Sequence, residues 1–146
     1  MTTEVRFNTK FRVPPHIIFE AITNEEMMSK YTQSKCIFQK KKDGELSLYD
    51  GSIKGKIIDF EQDKKLNLLW HPSNWNQDAH IEFKFKPKDG NETLISIFIK
   101  DCPNRDSSGQ IVEKRTVVEG FKQQIFNRIQ MFMGYPINKD DEEDDD

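Results

Sequence analysis

The sequence predicts an α+β fold in which a curved antiparallel sheet of about seven strands wraps around a long C-terminal helix. Three features favour this fold. Short alternating segments are separated by the turn dipeptides Asp43-Gly44, Asp50-Gly51 and Asp89-Gly90. Two short helical segments follow the first strand. After the polar stretch 102–109, the apolar period changes from two to about 3.6 residues, which indicates a helix.

Residues 4–13 are the first predicted strand, because apolar and polar side chains alternate along them. Pro14-Pro15 ends this strand, and Pro15 suits the first turn of a helix over residues 16–22. A second short helix begins at 23–26. Thr23 or Asn24 is its predicted N-cap, and Glu26 is expected to complete a capping box with Thr23.

The remaining strands are predicted at residues 34–41, 45–49, 52–61, 66–71, 79–86 and 93–101. Asp50-Gly51 suits a type I′ turn, because both of its central positions need positive φ. The alternation breaks at Ile57-Ile58, which predicts a bulge or bend. The last two strands direct apolar side chains inward: Ile81, Phe83, Phe85, Ile95, Ile97 and Ile99.

A helix over residues 110–133 is predicted from one apolar stripe, made of Val118, Phe121, Ile125, Ile129 and Phe132. Gly134 and Pro136 supply its stop. Since twist accumulates across strands, a seven-stranded sheet curls, and the helix can fill its concave face. The elements therefore predict a single helix-grip domain over residues 1–137.

Residues 138–146 are predicted to be a disordered acidic tail, because 140–146 are seven consecutive acids. The rest of the chain is mildly basic, with 22 Lys and Arg against the remaining 18 of the 25 acidic residues. The tail either promotes solubility, contacts a basic partner or folds back over the domain's own lysines.

The chain has no apolar run near the ~20 residues that span a membrane. Residues 1–6 lack the apolar core of a signal peptide. Cys36 and Cys102 are expected to be free thiols in a reducing compartment, with a disulfide between them as the alternative. We therefore expect a cytoplasmic protein, and a monomer.

No sequence motif suggests catalysis. The histidines His16, His71 and His80 lack the spacing of a zinc motif, and phosphate-loop, dinucleotide and nucleophile-elbow patterns are absent from the sequence. We expect no metal, no cofactor and no enzymatic activity. Function is then expected to come from surfaces or from a cavity.

Two kinds of site are predicted. The partner-binding surface combines the polar loop 71–78 with nearby cations, and its residues are Asn74, Trp75, Lys40, Lys41, Lys42, Lys54 and Lys56. Alternatively, Trp75 folds back over the core and the lysines are a solvated exterior. The cavity between sheet and helix is expected to be lined by Trp70, Phe83, Phe85, Ile97, Phe121 and Ile125, unless these side chains fill it completely. RNA binding is disfavoured, because most Phe residues face inward.

Several segments also match a known family: Phe11-Arg12-Val13-Pro14-Pro15, Tyr31-Thr32-Gln33-Ser34-Lys35, the glycine-turn block 44–55, Asp63-Lys64-Lys65, Trp70, Ser73-Asn74-Trp75, Glu92-Thr93-Leu94 and Glu119-Gly120-Phe121. On these residues, the chain resembles the C-terminal domain of the Aha-type activators of the heat shock protein 90 ATPase. That domain belongs to the START-like (Bet v-type, SRPBCC) superfamily. The resemblance covers about residues 10–136, and Phe121 stands where the family usually has Trp.

The resemblance implies a stress-response co-chaperone that binds heat shock protein 90 and favours its closed, ATPase-competent state. Full-length family members carry an N-terminal domain that supplies the main anchor. Without it, weak binding, or stimulation only beside another factor, is expected. The alternative is a carrier or sensor of a small hydrophobic ligand in the helix-grip cavity. An enzyme such as a cyclase has only fold analogy in its favour.

Overall fold

The computed structural model describes residues 2–138, so the predicted acidic segment Asp140–Asp146 lies outside the described residues. The seven strands are β1 (Thr2–Phe11), β2 (Ile37–Phe38), β3 (Glu45–Leu48), β4 (Ile53–Glu61), β5 (Lys65–Pro72), β6 (Ala79–Lys88) and β7 (Glu92–Pro103). They form one sheet in the order β1-β7-β6-β5-β4-β3-β2, and every neighbouring pair is antiparallel. The predicted sheet is confirmed.

Two short helices, α1 (Pro15–Thr23) and α2 (Glu25–Thr32), follow β1 as predicted. Their junction differs in one detail. Asn24 is the N-cap of α2, since its Oδ1 accepts from the Met27 N–H at 3.0 Å. Thr23 is instead the last residue of α1, and its hydroxyl donates to the Phe19 carbonyl at 2.8 Å. The predicted capping box is therefore wrong, because the Thr23 hydroxyl is already used within α1.

The Asp50-Gly51 turn has the predicted type I′ geometry. Asp50 and Gly51 have φ of 60° and 92°, and the Ser52 N–H donates to the Tyr49 carbonyl at 3.1 Å. The backbone of Tyr49 also lies in the left-handed region, with φ of 53°. The β3–β4 ladder consequently stops at the pair Leu48–Ile53.

Two predictions about strands have different outcomes. The bulge in β4 is confirmed, since the register with β5 shifts between Ile57 and Asp59. The second strand is much shorter than predicted, because only Ile37 and Phe38 pair with β3. The Gln39 N–H still donates to the Glu45 carbonyl at 2.9 Å. The chain then turns, with the Lys41 N–H donating to the Gln39 carbonyl at 2.7 Å, so the ladder ends there.

The C-terminal helix consists of α3 (Lys114–Phe121), a π-helical segment (Lys122–Phe126) and α4 (Asn127–Met133). It begins later than the predicted residue 110, because Ile111 bridges back to Arg105 and the Val112 N–H donates to the Asn104 carbonyl at 2.8 Å. Gly134 ends it with φ of 76°, as predicted.

The π-helical segment shifts the buried face of this helix. The buried residues of the helix are Val117, Phe121, Ile125, Phe126 and Ile129. A π turn holds more residues than an α turn, and the adjacent residues Ile125 and Phe126 of the π-helical segment are both buried. Val118 and Phe132 were predicted to face inward. Val118 is half-buried and Phe132 is 43% exposed.

The helix packs in the concave face of the sheet through aromatic contacts. Phe121 lies 6.0 Å from Phe7 of β1 and 5.0 Å from Trp70 of β5, measured between ring centroids. Phe126 packs edge-on against Phe7 and Phe11. These contacts fix the helix between the two sides of the sheet, and they position one end of it above β4 and β5.

Candidate functional site

A cleft of about 640 Å³ lies where the C-terminal helix crosses the sheet. Its apolar lining comes from four parts of the chain and includes Ile53, Trp70, Trp75, Ile111, Val117, Phe121 and Ile125. Ile111 stands at its rim with 66% of its surface exposed. Polar groups at the cleft include Tyr49, Asn74, Asp106, Gln110 and Gln124. The site is thus an apolar hollow with a polar border.

The predicted cavity residues divide into two groups. Trp70, Phe121 and Ile125 line the cleft, with the Trp70 and Phe121 rings stacked at an angle of 27°. Phe83, Phe85 and Ile97 do not line it, and each is at most 4% exposed. They fill the core deeper in the sheet, where Phe85 packs edge-on against Phe19 of α1 at 5.1 Å. The alternative of dense packing therefore holds for this second group.

Tyr49 connects the β3–β4 turn to the C-terminal helix at the cleft. Its hydroxyl donates to the Gln124 carbonyl, within the π-helical segment, at 2.6 Å. The Arg128 guanidinium lies 5.8 Å from the Tyr49 ring and donates to the Tyr31 carbonyl at 3.1 Å. Burial raises the pKa of Tyr49, and the Arg128 charge opposes this in part. The phenol therefore stays a hydrogen-bond donor throughout the neutral range.

Trp75 is 8% exposed and belongs to the core, so the expectation of an exposed tryptophan is wrong and the folded-back alternative is confirmed. The chain turns before it, with the Trp75 N–H donating to the Pro72 carbonyl at 3.0 Å, which directs the indole inward. Asn74 remains exposed, and its carbonyl accepts from the Ser107 N–H at 2.7 Å. This bond ties the loop that follows β5 to the loop that follows β7.

Asp106 organises that second loop. Its Oδ1 accepts from the Gln110 N–H, the Ser108 N–H and the Ser108 hydroxyl at 2.9, 3.0 and 2.8 Å. These bonds stabilise the carboxylate and hold the pKa of Asp106 below its usual value. The loop therefore lines the cleft in a defined shape at every pH at which Asp106 is ionised.

His71 and Asp78 stand at the two ends of the loop that carries Asn74 and Trp75. The His71 Nδ1 lies 2.9 Å from Asp78 Oδ1, and its Nε2 lies 2.8 Å from the Trp75 carbonyl oxygen. Both atoms facing the ring are hydrogen-bond acceptors. The ring thus spans the loop and fixes its shape between β5 and β6.

The predicted lysines differ in exposure and in their contacts. Lys40 is half-buried, lying 3.7 Å from the Glu20 carboxylate and 5.2 Å from the centre of the Phe19 ring. Lys41 and Lys42 are exposed in the turn before β3. Lys54 and Lys56 are exposed on the outer face of β4, since the flanking Ile53 and Ile57 are buried.

Lys54 and Lys56 line a shallow outer groove of about 580 Å³. Its other lining residues are Gly51, Gly55, Leu69, His71, Ser73 and Asp78. Gly55 allows β4 to approach β5 here, because a Cβ on it would overlap the Leu69 carbonyl oxygen. The loop 71–78 therefore contributes to both hollows, with Trp75 in the inner cleft and His71 in the outer groove.

The described part of the chain holds no group of three or more His, Cys, Asp or Glu side chains able to bind a metal ion. Its two cysteines, Cys36 and Cys102, are free and buried. Burial raises the pKa of the Cys102 thiol to about 11, so this group is neutral near pH 7 and a weak nucleophile. None of the helices in residues 2–138 is long and apolar enough to cross a membrane.

Sequence reasoning missed Tyr49, Arg128 and the His71–Asp78 pair. Tyr49 and Arg128 meet only because the turn after β3 packs on the C-terminal helix, and no local pattern encodes that contact. His71 and Asp78 could have been found, because they flank one loop between two antiparallel strands. Residues at the two ends of such a connection lie opposite each other.

A family model described as "Activator of Hsp90 ATPase homolog 1-like protein" matches residues 12–134. An activator of 90 kDa heat shock protein ATPase homolog from Dictyostelium discoideum is 25% identical over 136 residues, which is 92% of this chain and 34% of that protein. A mouse protein, homolog 2 of the same activator, is 24% identical over 88 residues, covering 59% of this chain and 26% of its own length. The chain thus spans about a third or less of these curated relatives.

Among solved structures, the crystal structure of an HSP90 activator from Plasmodium falciparum superposes with a TM-score of 0.85. The match covers 92% of this chain and 99% of that one, at 21% sequence identity. At this identity the likeness establishes the helix-grip fold, with the curved sheet and the C-terminal helix in corresponding places.

Proposed function

The chain belongs to the family of activator of Hsp90 ATPase homolog 1-like proteins, whose model matches residues 12–134, and from this we propose that it is a co-chaperone module that binds heat shock protein 90. The module stimulates the chaperone's ATPase by favouring its closed state. The observation that carries the proposal is the extent of the match, which includes nearly all of the described chain.

The surface features of the domain support a binding role. Asn74 is exposed on the loop between β5 and β6, and the outer groove carries the exposed cations Lys54 and Lys56. Among the described residues, neither ammonium group has an ion-pair partner within 4 Å. Such cations are available to carboxylates of a partner, and complementary charge speeds encounter and fixes orientation. Lys41 and Lys42 extend the positive charge along the turn before β3.

Stimulation of an ATPase by binding alone requires differential affinity. A ligand shifts an equilibrium only by the ratio of its affinities for the two states. The module therefore binds the closed chaperone more tightly than the open one, and a tenfold preference corresponds to about 1.4 kcal/mol. No bond is made or broken by this chain in the proposal. It acts as a cytoplasmic partner protein.

The proposal is tested by titrating the purified chaperone with this chain, with and without a non-hydrolysable ATP analogue, and by following ATP hydrolysis. We expect tighter binding with the nucleotide analogue and faster hydrolysis. Lys54→Glu with Lys56→Glu should weaken binding, and Lys84→Glu with Lys86→Glu, on β6, is the matched control of equal charge change. Absence of binding in both nucleotide states would end the proposal.

A second candidate function rests on the inner cleft. Its volume of about 640 Å³ suits a small molecule, and the walls contributed by Trp70, Trp75 and Phe121 suit an apolar one. We therefore keep the carrier or sensor of a hydrophobic ligand as the alternative. Solvent extraction of the purified protein followed by mass spectrometry distinguishes the two. A stoichiometric apolar compound supports the carrier, and a protein that yields none supports the co-chaperone alone.

A further inference from the structure

Each ring nitrogen of His71 faces a hydrogen-bond acceptor, so the number of protons on the ring decides how many of these contacts are hydrogen bonds. A neutral imidazole has one N–H and one bare nitrogen, whereas an imidazolium has two N–H donors. Here Nδ1 faces the Asp78 carboxylate at 2.9 Å and Nε2 faces the Trp75 carbonyl oxygen at 2.8 Å. A carboxylate and a carbonyl only accept hydrogen bonds. Both contacts are satisfied together only when the ring carries two protons.

We propose that His71, as an imidazolium, is the positioning residue of the loop that carries Asn74 and Trp75, and that partner binding through this loop is therefore proton-dependent. The second part rests on the co-chaperone function proposed above. Loss of one proton leaves either Asp78 or the Trp75 carbonyl without its donor. The loop 71–78 then loses one of the two hydrogen bonds by which the His71 ring holds it.

Other charges around the ring act in opposite directions. Lys54 is the cross-strand partner of His71 on β4, and Lys56 lines the same groove two residues further along. On β6, His80 pairs with Leu69 and so lies diagonal to His71. The two lysine ammonium groups disfavour a positive ring. The Asp78 carboxylate favours it and is in direct contact with the ring.

The other hydrogen bonds that hold the loop join amide and carbonyl groups, which do not titrate near neutral pH. Ser107 donates its N–H to the Asn74 carbonyl at 2.7 Å, and the Gln77 amide donates to the Asp101 carbonyl at 2.8 Å. Between about pH 5 and pH 8, histidine is the side chain whose charge ordinarily changes. The loop is held at the acidic end of this range and is released as the pH rises and the ring loses its proton.

The isolated protein tests the first part. Ring nitrogen shifts of His71 by NMR and the emission of Trp75 are followed from about pH 5 to about pH 8. We expect a Trp75 emission change that coincides with ring deprotonation, is absent in His71→Gln and persists in His16→Gln, a histidine on α1. Trp75→Phe assigns the signal, since Trp70 is the other tryptophan. A transition that survives in His71→Gln or in Trp75→Phe overturns the proposal.

Two variants show whether His71 positions the loop through its charge or only through packing of its ring. His71→Arg keeps a cation with several donors at every pH, so its emission should stay at the acidic value throughout. Asp78→Asn removes the favourable charge, so the transition should move to lower pH. A purely structural role predicts neither result, and an unshifted transition in Asp78→Asn contradicts the proposal.

Chaperone binding tests the second part. Affinity should fall about tenfold between about pH 6 and pH 8, the effect of one hydrogen bond to a charged group, and His71→Gln should remove this difference. The His71→Gln series also corrects for titration within the chaperone. If the wild-type chain binds at neither pH, the proposed co-chaperone function is wrong. The emission titration still tests whether the protonated His71 ring positions the loop. If wild type and His71→Gln show the same pH dependence, proton-dependent binding is wrong.

Discussion

Replacing Tyr49 by phenylalanine tests whether the β3–β4 turn is fastened to the C-terminal helix at the cleft. The substitution keeps the ring that faces Arg128 and removes only the hydroxyl that donates to the Gln124 carbonyl at 2.6 Å. One such hydrogen bond contributes about 1 kcal/mol to the free energy of unfolding. For a domain near 150 residues, this lowers the Tm by roughly 3 °C.

The assay combines thermal unfolding with hydrogen exchange. Loss of the fastening should speed amide exchange in the π-helical segment (Lys122–Phe126) and in the turn at Asp50-Gly51, while exchange in β6 and β7 stays unchanged. Tyr135→Phe is the matched control, because Tyr135 is also half-buried and its hydroxyl makes no hydrogen bond with any residue between 2 and 138. Equal Tm values for Tyr49→Phe and Tyr135→Phe, with unaltered exchange at the cleft, would refute the reasoning.

Three further outcomes are expected. Val117→Ala should lower the free energy of unfolding by ~2 kcal/mol and the half-buried Val118→Ala by less than ~1 kcal/mol, measured by urea denaturation, and the reverse order would contradict the shifted stripe. Cys102, whose pKa of about 11 keeps it neutral, should react with a thiol reagent at pH 7 only at the rate of unfolding; fast labelling of the native protein would show otherwise. Because the pKa of Asp106 is lowered, its contribution to stability is present above the usual value of 3.8 and is lost as the pH falls through the lower native value. Asp106→Asn should flatten this acid limb of the stability curve, and an unchanged limb would assign it to other carboxylates.

Much of the fold could be predicted because local and global signals agree. Alternation placed β6 and β7 with their inward residues, and the positive φ of Asp50 and Gly51 was predictable from residue type alone. The π-helical segment was not predictable by the same route, since the pattern was matched to 3.6 residues.

The site was predictable only in part, because it is assembled from distant segments. Trp70 and Phe121 were placed at the cavity from their positions on a strand and on the helix, and they do meet. The side chain of Trp75 was expected to be exposed because its neighbours are polar. Its burial depends on Pro72, which sets the turn, and on Ser107, which holds the loop from another part of the chain. Such contacts cannot be read from a local window.

The loop 71–78 links the two candidate functions to each other. Its inner side supplies Trp75 to the cleft, and its outer side supplies His71 to the groove with Lys54 and Lys56. We expect a ligand in the cleft that fixes Trp75 to favour the loop shape in which the Trp75 carbonyl faces His71. By linkage, a partner that binds this loop shape then tightens ligand binding by the same factor as the ligand tightens partner binding. An apolar ligand and the chaperone would therefore be positive effectors of each other, whereas two independent sites would give unchanged affinities in the same pair of titrations.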